Sequence, residues 1–372
     1  MLRYLTAGES HGKALTVIVE GLPAGLPVLA SDIAGELARR RLGYGRGPRQ
    51  RFEEDVITLV GGVRHGRTLG SPVAIEIQNS EWFTETPLTQ PRPGHADLVG
   101  MQKYGFSDAR DVLERASARE TAARVAAGSL AKLLLSHLGV GILSHVVQMG
   151  SARVPGGTLP GMDDLARIDA SEVRCADEET ARSMITEIKN AAREGDSLGG
   201  IVEAVAHGVP IGLGSHVHWD RKIDALLAQA VMSIQAVKGV EIGDGFEVAG
   251  LVGSKAHDPI LWDAQNARYV REGHRSGGTE GGITTGEPLI VRAAMKPLAT
   301  LNRPTLKTVD TVTKEETVSF KERTDVTAVP ALGVIVETMV ALVLASEAQR
   351  KFGGDSLREF VANAESFKNT LR

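Results

Sequence analysis

The sequence predicts an α+β fold in which two similar halves form one layered body of sheet covered by helices. Two observations show the similarity: residues 16–26 resemble residues 202–213, and residues 68–75 resemble residues 284–291. As a third observation, each half ends in a long apolar helix. We therefore expect an internally duplicated β-α-β sandwich.

The duplication divides what we interpret as a single domain, residues 1–372. The halves lie at about 1–150 and 196–352, and a connector with a polar helix occupies 151–195. Each half has the order strand, helix, strand, strand, helix. The repeat is far longer than the repeats of solenoid proteins, so two copies packing together are favoured.

Periodicity places the elements within each half. Several of the β-rich runs have polar residues on one face only, which favours antiparallel strands. The predicted strands are 15–20, 56–60, 73–77, 201–205 and 289–292. The predicted helices are 31–41, 118–138, 220–237 and 331–345. Ser117 and Glu120 predict a capping box, and Gly139 is suited to follow the helix end. No strand–GxGxxG–helix unit is present, which argues against a doubly wound nucleotide-binding fold.

Composition limits the classes of function. The net charge of −4 does not favour nucleic acid as a general partner. The single cysteine, Cys175, excludes an intramolecular disulfide and fits a reducing compartment. The first residues lack the apolar run of a signal peptide. The apolar segment 329–346 contains Glu337, so we expect a buried helix there and no membrane span.

Residues 39–51 predict a tightly turned cationic loop, because six arginines occur there among three glycines. Guanidinium groups bind phosphate and carboxylate oxygens in pairs, so an anionic small molecule fits this loop. Single-stranded RNA is the alternative partner, although few aromatic residues are interleaved. A solvated basic loop is the remaining alternative.

Four more clusters lie at the ends of predicted elements, where functional groups concentrate. His11 stands between two glycines, and His95 belongs to a charged stretch that leads into a helix N-terminus suited to an anion. Residues 273–286 are rich in glycine, whose amides can hold phosphate. Asp325 beside Arg323 is either a salt-bridged cap or a catalytic carboxylate. Each cluster also has a purely structural alternative.

A metal site is not predicted. His216 and His218 share one face of an extended segment, but no third ligand follows at a recognisable spacing.

Taken together, these motifs resemble the chorismate synthase family almost from end to end. The matching segments, in the family's order and spacing, are GESHG at 8–12, RRRLGYGRGPRQR at 39–51, the stretch 92–121, MSIQAVKGVEIGDGF at 232–246, HRSGGTEGGITTGEPL at 274–289, KPLAT at 296–300 and RTDVTAVPALGVIVETMVA at 323–341. The resemblance implies the family's fold and a lyase that converts 5-enolpyruvylshikimate 3-phosphate to chorismate and phosphate. That step toward aromatic amino acids is an anti 1,4-elimination that needs reduced FMN without net redox change.

The resemblance also implies roles for single residues. His11 matches the histidine that protonates the reduced flavin, His95 the one that protonates the leaving phosphate, and Asp325 the carboxylate that works with the flavin N5 in removing the C6 proton. The matching anion-binding positions, which contact NADP in relatives with reductase activity, are Arg40, Arg46 and Arg49. The matching flavin-binding positions are Arg115, Ala116, Ser117, Gln235, Ala236, Gly281, Lys296, Pro297, Leu298, Ala299, Thr300 and Arg323.

The resemblance further implies a cytoplasmic homotetramer with a small-molecule substrate and with no nucleic-acid or membrane partner. We expect a monofunctional enzyme that receives reduced flavin from a separate reductant, with NADPH acting only indirectly. Two alternatives from other classes are a flavin- or nucleotide-binding protein without catalysis and an RNA-binding protein that uses residues 39–51.

Overall fold

The computed structural model describes residues 2–47, 55–79, 86–157, 159–320 and 325–371. Its strands are β1 (Arg3–Ala7), β2 (Ala14–Glu20), β3 (Ile57–Gly61), β4 (Val63–Arg64), β5 (Arg67–Thr68), β6 (Val73–Gln78), β7 (Gly141–Met149), β8 (Ala152–Arg153), β9 (Gly200–His207), β10 (Val237–Ile242), β11 (Ile260–Asp263), β12 (Arg268–Arg271), β13 (Thr279–Glu280), β14 (Ile283–Thr284), β15 (Leu289–Met295), β16 (Lys307–Val309) and β17 (Glu316–Val318). Its helices are α1 (Ala30–Arg41), α2 (Asp97–Tyr104), α3 (Arg110–Ala116), α4 (Thr121–Ser136), α5 (Leu165–Ala170), α6 (Glu178–Glu194), α7 (Ile223–Met232), α8 (Gly253–Ala256), α9 (Val329–Phe352) and α10 (Leu357–Asn369).

Two antiparallel sheets contain the long strands. The first has the order β1-β2-β6-β3, and the second has the order β10-β15-β9-β7-β8. Leu15 pairs with Ile77 between β2 and β6, and Val202 pairs with Ala293 between β9 and β15. The antiparallel sheets with helices between them confirm the predicted α+β fold class.

The repeated sequence segments occupy equivalent positions in the two sheets. Strands β2 and β6 carry the first copies and are neighbours in the first sheet, whereas β9 and β15 carry the second copies and are neighbours in the second sheet. Helix α4 packs on the first sheet, and α9 packs on the second sheet. This correspondence supports the division into halves 1–150 and 196–352, which we retain as a proposal.

Helices α4 and α9 fill the space between the sheets and pack closely against each other. A Cβ atom at Gly128 in α4 would lie 2.3 Å from Cβ of Thr338 in α9, so a side chain at this crossing would push the helices apart. By length and composition α9 could cross a membrane, but 89% of its most apolar window is buried inside the protein. It is therefore the core helix that the sequence led us to expect.

Glu337 lies at the centre of an ion network within this core. Its carboxylate accepts hydrogen bonds from Arg39 at 2.7 Å, Lys132 at 2.9 Å and Arg174 at 3.1 Å. Burial alone would raise the pKa of Glu337, but the charges of these three side chains outweigh burial and hold the pKa far below its usual range. Two more carboxylates pair with the same cations, those of Glu36 and Asp169.

Three predicted helices have different boundaries in the structure, and the one expected at 331–345 runs from Val329 to Phe352. The helix expected at 118–138 begins with one 3₁₀ turn, Ala118–Glu120, and becomes α-helical at Thr121. Ser117 caps this turn by accepting a hydrogen bond from the Arg119 N–H, but the Glu120 carboxylate binds other side chains, so no capping box forms. The helix expected at 220–237 ends at Met232.

The cationic segment 39–51 is also only partly a loop. Arg39, Arg40 and Arg41 form the last turn of α1, and the turned part of the segment begins at Leu42. Residues 48–51 lie outside the described residues. The helical arginines have different partners. Arg39 joins the Glu337 network, and Arg41 Nε lies 3.9 Å from Asp55 Oδ2.

Candidate active site

A cavity of about 840 Å³ brings together most of the residues that the sequence singled out. Its lining comes from both halves of the chain, and it lies at the start of α9 and the turn before α4. The predicted site residues that line it are His11, Arg40, Arg46, His95, Ala116, Ser117, Gln235, Ala236, Lys296, Pro297, Leu298, Ala299, Thr300 and Asp325. The described lining therefore combines two imidazoles, one carboxylate and a group of cations.

Two predicted site residues within the described part of the chain, Arg115 and Gly281, do not line the cavity. Arg49 and Arg323 lie outside the described residues. The guanidinium of Arg115 donates hydrogen bonds to the carbonyl oxygens of Thr6 and Gly8, both at 2.9 Å, so it connects α3 to the loop after β1.

Gly281 lies in a hairpin turn and is not among the described residues that line the cavity, so its assignment to flavin binding stays a prediction. It stands with Gly282 between β13 and β14, and φ is 59° at Gly281 and 86° at Gly282. A two-residue hairpin turn of this kind needs positive φ at both positions, which glycine adopts readily. The glycine pair is therefore explained by the turn, and the hairpin does not reach the cavity of its own chain.

The imidazole of His11 contacts Glu114, a buried carboxylate on α3. Glu114 Oε2 lies 2.9 Å from His11 Nδ1 and accepts a hydrogen bond from the His11 backbone N–H at 3.0 Å. The Ser10 hydroxyl donates to the same oxygen at 2.5 Å. Burial would raise the pKa of Glu114, but the hydrogen bonds from His11 and Ser10 outweigh burial and lower the pKa, so the group stays ionised.

His95 is placed in a similar way by Asp97, at the first residue of α2. Its Nδ1 is hydrogen-bonded to Asp97 Oδ1, and Arg92 Nε donates to Asp97 Oδ2 at 2.9 Å. Burial would raise the pKa of Asp97, but the hydrogen bonds from His95 and Arg92 hold the pKa well below its usual range. Arg92 also donates to Thr300 Oγ1 at 3.1 Å, which joins this group to the segment after β15.

Asp325 lies more than 300 residues after His11 in the chain, shortly before α9. Its Oδ1 accepts a hydrogen bond from the Gly47 N–H at 2.6 Å, and its Oδ2 lies 3.2 Å from Arg46 Nε. The turn after α1 therefore closes onto the carboxylate. Asp325 is the one acidic side chain among the described residues that line the cavity.

Arg40 brings an incompletely compensated positive charge into the cavity wall. Its guanidinium is fixed by hydrogen bonds to Thr121 Oγ1 at 3.0 Å and to the Ala118 carbonyl at 3.1 Å. Burial, together with repulsion from Arg46 and Arg119, lowers the pKa of Arg40 to about 9. The wall thus holds more cationic than anionic groups, and a bound anion would relieve this repulsion.

Two loops complete the wall on the side of the second half. Gln235 donates its Nε2–H to Glu120 Oε2 at 3.0 Å, and its buried Oε1 has no hydrogen-bond donor among the described residues. The next residue, Ala236, has a φ of 66°, a strained conformation of the kind often found at functional sites. Lys296 donates a hydrogen bond to the Gly94 carbonyl, which links this loop to the His95 loop.

Several functional candidates were not identified as site residues from the sequence. They are Ser10, Arg92, Asp97, Glu114 and Arg119. All but Ser10 and Arg119 belong to the charged group noted between residues 92 and 115. Their density was a usable signal, but no spacing rule shows that Glu114 reaches a histidine 103 residues earlier in the chain.

Comparisons with known proteins agree with the geometry. A sequence profile of the family described as chorismate synthase matches residues 2–348. A chorismate synthase from a Nocardioides species is 56% identical, with all of both chains covered, and one from Streptomyces coelicolor is 56% identical, with 100% of this chain and 98% of the relative covered. A crystal structure of a chorismate synthase has a TM-score of 0.82 and 42% identity, covering 100% of this chain and 98% of that one.

Proposed function

The chain belongs to the chorismate synthase family, and we propose that the cavity lined by both of its halves is where it carries out the family's reaction. The protein is a lyase of the shikimate pathway, which leads to the aromatic amino acids. One observation carries the assignment of the site: His11, His95 and Asp325 share a single cavity although more than 300 residues separate the first from the last.

The substrate that we propose is 5-enolpyruvylshikimate 3-phosphate, which carries one phosphate and two carboxylates. Five Arg and Lys side chains and one carboxylate line the described cavity, so the charge of the wall complements this anion. Arg40 and Arg46 are the residues that we assign to its binding. Arg49 belongs with them on the sequence alone.

The residues present also fit a bound reduced FMN. The cavity volume of about 840 Å³ lies within the usual range for ligand sites, roughly 300–1,000 Å³. The buried Gln235 Oε1 lacks a donor among the described residues and suits a ring N–H or a ribityl hydroxyl. When bound, reduced FMN would supply a transient electron that helps phosphate to leave, with no net redox change.

The flavin-binding assignment follows the cavity lining. The residues that we propose are Ala116, Ser117, Gln235, Ala236, Lys296, Pro297, Leu298, Ala299 and Thr300. Arg323 is assigned on the sequence alone, and Arg115 would act by holding the loop after β1 in place.

Three side chains of this chain would move protons. In the elimination a C–O bond to phosphate and the C6–H bond of the ring break, and one ring double bond becomes two conjugated double bonds. Asp325 accepts the proton from C6. His95, whose Nδ1 is turned to Asp97, delivers a proton from Nε2 to the departing phosphate. His11 holds the proton that balances charge on the reduced flavin, also at Nε2, because its Nδ1 faces Glu114.

We further propose a cytoplasmic homotetramer that is supplied with reduced flavin by a separate reductant, so that NADPH acts only indirectly. Exposed aromatic side chains, those of Trp262 and Tyr269 on the β11–β12 hairpin and that of Phe246 after β10, support contacts between copies. The buried, free thiol of Cys175 supports a reducing compartment.

The role of His11 can be tested by replacing it with asparagine. The asparagine side chain would keep a hydrogen bond to Glu114 but has no titrating proton, so we expect turnover with excess reduced FMN to fall by at least about a hundredfold. Anaerobic phosphate release measures turnover, and flavin fluorescence measures binding. His65→Asn is the matched control, because His65 lies in a turn with φ of 51° that asparagine tolerates. Near-normal turnover of His11→Asn would remove His11 from the mechanism.

A further inference from the structure

We infer that Glu114 is the positioning residue of His11: it fixes the orientation of the imidazole and keeps it protonated within a cationic cavity. The inference rests on the proposed role of His11 as a proton donor. Glu114 would support that role by acting on His11, and it would contact neither substrate nor flavin.

The first step of the argument is that Glu114 cannot turn away from the histidine. Its side chain is 3% exposed. Oε2 receives the Ser10 hydroxyl, the His11 backbone N–H and His11 Nδ1, and the Ser10 N–H donates to the Glu114 carbonyl at 3.0 Å. Helix α3 and the loop after β1 are thus joined at four points, so the imidazole has a fixed partner on one ring nitrogen.

The second step concerns charge. The other charged or titratable groups that line the described cavity are Arg40, Arg46, Arg92, Arg119, Lys296, His95 and Asp325. Most of these groups are cations, which disfavour a further positive charge on His11. Among the described residues, Glu114 is a carboxylate in direct contact with His11, at 2.9 Å, and its negative charge favours the imidazolium against this background.

The third step is the proton balance. The imidazolium gives its Nε2 proton to the acceptor in the cavity and becomes the neutral Nδ1–H form. That form still donates to Glu114, so the carboxylate takes up no proton and stays ionised. The same proton returns to Nε2 when the acceptor gives it up, so the imidazolium is restored in each turnover with no net proton uptake. The hydrogen bond to Glu114 therefore favours the neutral tautomer with its proton on Nδ1. In that tautomer Nε2 is the atom that gives up and takes back a proton.

The protein contains a matched pair that serves as a control. His145 Nε2 lies 3.0 Å from Glu203 Oε1 in the second sheet, and both side chains are buried. Neither residue lines the cavity. A Glu→Gln change in this pair removes a buried carboxylate from a histidine just as the change at Glu114 does, but it does so away from the site.

The test compares Glu114→Gln with Glu203→Gln. We expect Glu114→Gln to move the alkaline limb of the kcat/KM profile to lower pH by about one unit, the size expected for loss of one adjacent charge. In the FMN-free chain, the NMR titration of the His11 ring, assigned with His11→Asn, should shift in the same direction. Glu203→Gln should change neither curve. An unchanged profile and an unchanged ring titration in Glu114→Gln would overturn the inference.

A measurement on the unmodified chain covers the case in which Glu114→Gln does not fold. Nitrogen chemical shifts of neutral His11 should show the Nδ1–H form, and finding the Nε2–H form would overturn the inference. Failure of the proposed function gives a different pattern, since the unmodified chain would then release no phosphate; failure of the role of His11 alone would leave His11→Asn with normal turnover. If His11→Asn is inactive and the kcat/KM pH profile of Glu114→Gln is unshifted, the role of Glu114 is refuted and the role of His11 stands.

Discussion

Replacing Asp325 with asparagine is expected to lower turnover by about 10³–10⁴-fold, near the upper end of what a general base contributes. Asp325 is the one carboxylate among the described residues that line the cavity, so we assign to it the protein's part in removing the C6 proton. The asparagine side chain can still accept the hydrogen bond from the Gly47 N–H, but it cannot take up the proton from C6. The measurement is phosphate release under anaerobic conditions with reduced FMN, repeated with substrate deuterated at C6.

Controls separate chemistry from folding in this experiment. The isotope effect should be larger in Asp325→Asn than in the unmodified chain, because breaking the C–H bond becomes slower than the other steps. Asp263→Asn, on the exposed β11–β12 hairpin, should turn over normally. An Asp325→Asn protein that keeps within tenfold of normal turnover would contradict the assignment of the base.

Glu337→Gln is expected to lower the free energy of unfolding by about 3–5 kcal/mol, because it breaks a buried ion network from one side. The change leaves the buried Arg174 and the partly buried Arg39 and Lys132 with Glu36 and Asp169 as their carboxylate partners among the described residues. Urea unfolding measures the difference. The exposed pair of Glu247 and Arg153, 3.4 Å apart, offers the control Glu247→Gln, which should change stability by about 0.5 kcal/mol or less.

The pH dependence of this difference has a definite sign. The pKa of Glu337 is lower in the folded chain than in the unfolded chain, so its stabilising effect is complete above the unfolded pKa and is lost as pH falls. The gap between the unmodified chain and Glu337→Gln should therefore narrow below about pH 4.5, the ordinary glutamate range. A gap that stays constant into strong acid would show that the carboxylate charge is not the cause.

The sequence predicted the central strands of both sheets because their runs are either alternating or rich in β-forming residues, and several have polar residues on one face only. It missed β7, whose residues from Ile142 to Val146 are buried on both faces and so give no alternation. It extended the helix before β10 too far, because the helical run continues to Val237 in sequence whereas Ala236 adopts positive φ and turns the chain. Tertiary packing decides both features, and local pattern does not show it.

The candidate site was predicted residue by residue where a motif matched, and it was missed where contacts join distant segments. His11, His95 and Asp325 carry short local signals, and the structure places all three in one cavity. The partners Glu114 and Asp97 were visible only as charges in a charged stretch. Gly281 stays a prediction, because a glycine needed for a hairpin turn cannot be distinguished in sequence from one that approaches a ligand.

The most direct test of the central claim follows phosphate and chorismate under anaerobic conditions, with 5-enolpyruvylshikimate 3-phosphate and with or without dithionite-reduced FMN. We predict that both products appear in equal amounts only with reduced FMN, and that the flavin remains reduced after many turnovers. Product formation at the same rate without flavin, or with oxidised FMN alone, would contradict the claim that the reaction in this cationic cavity needs reduced flavin.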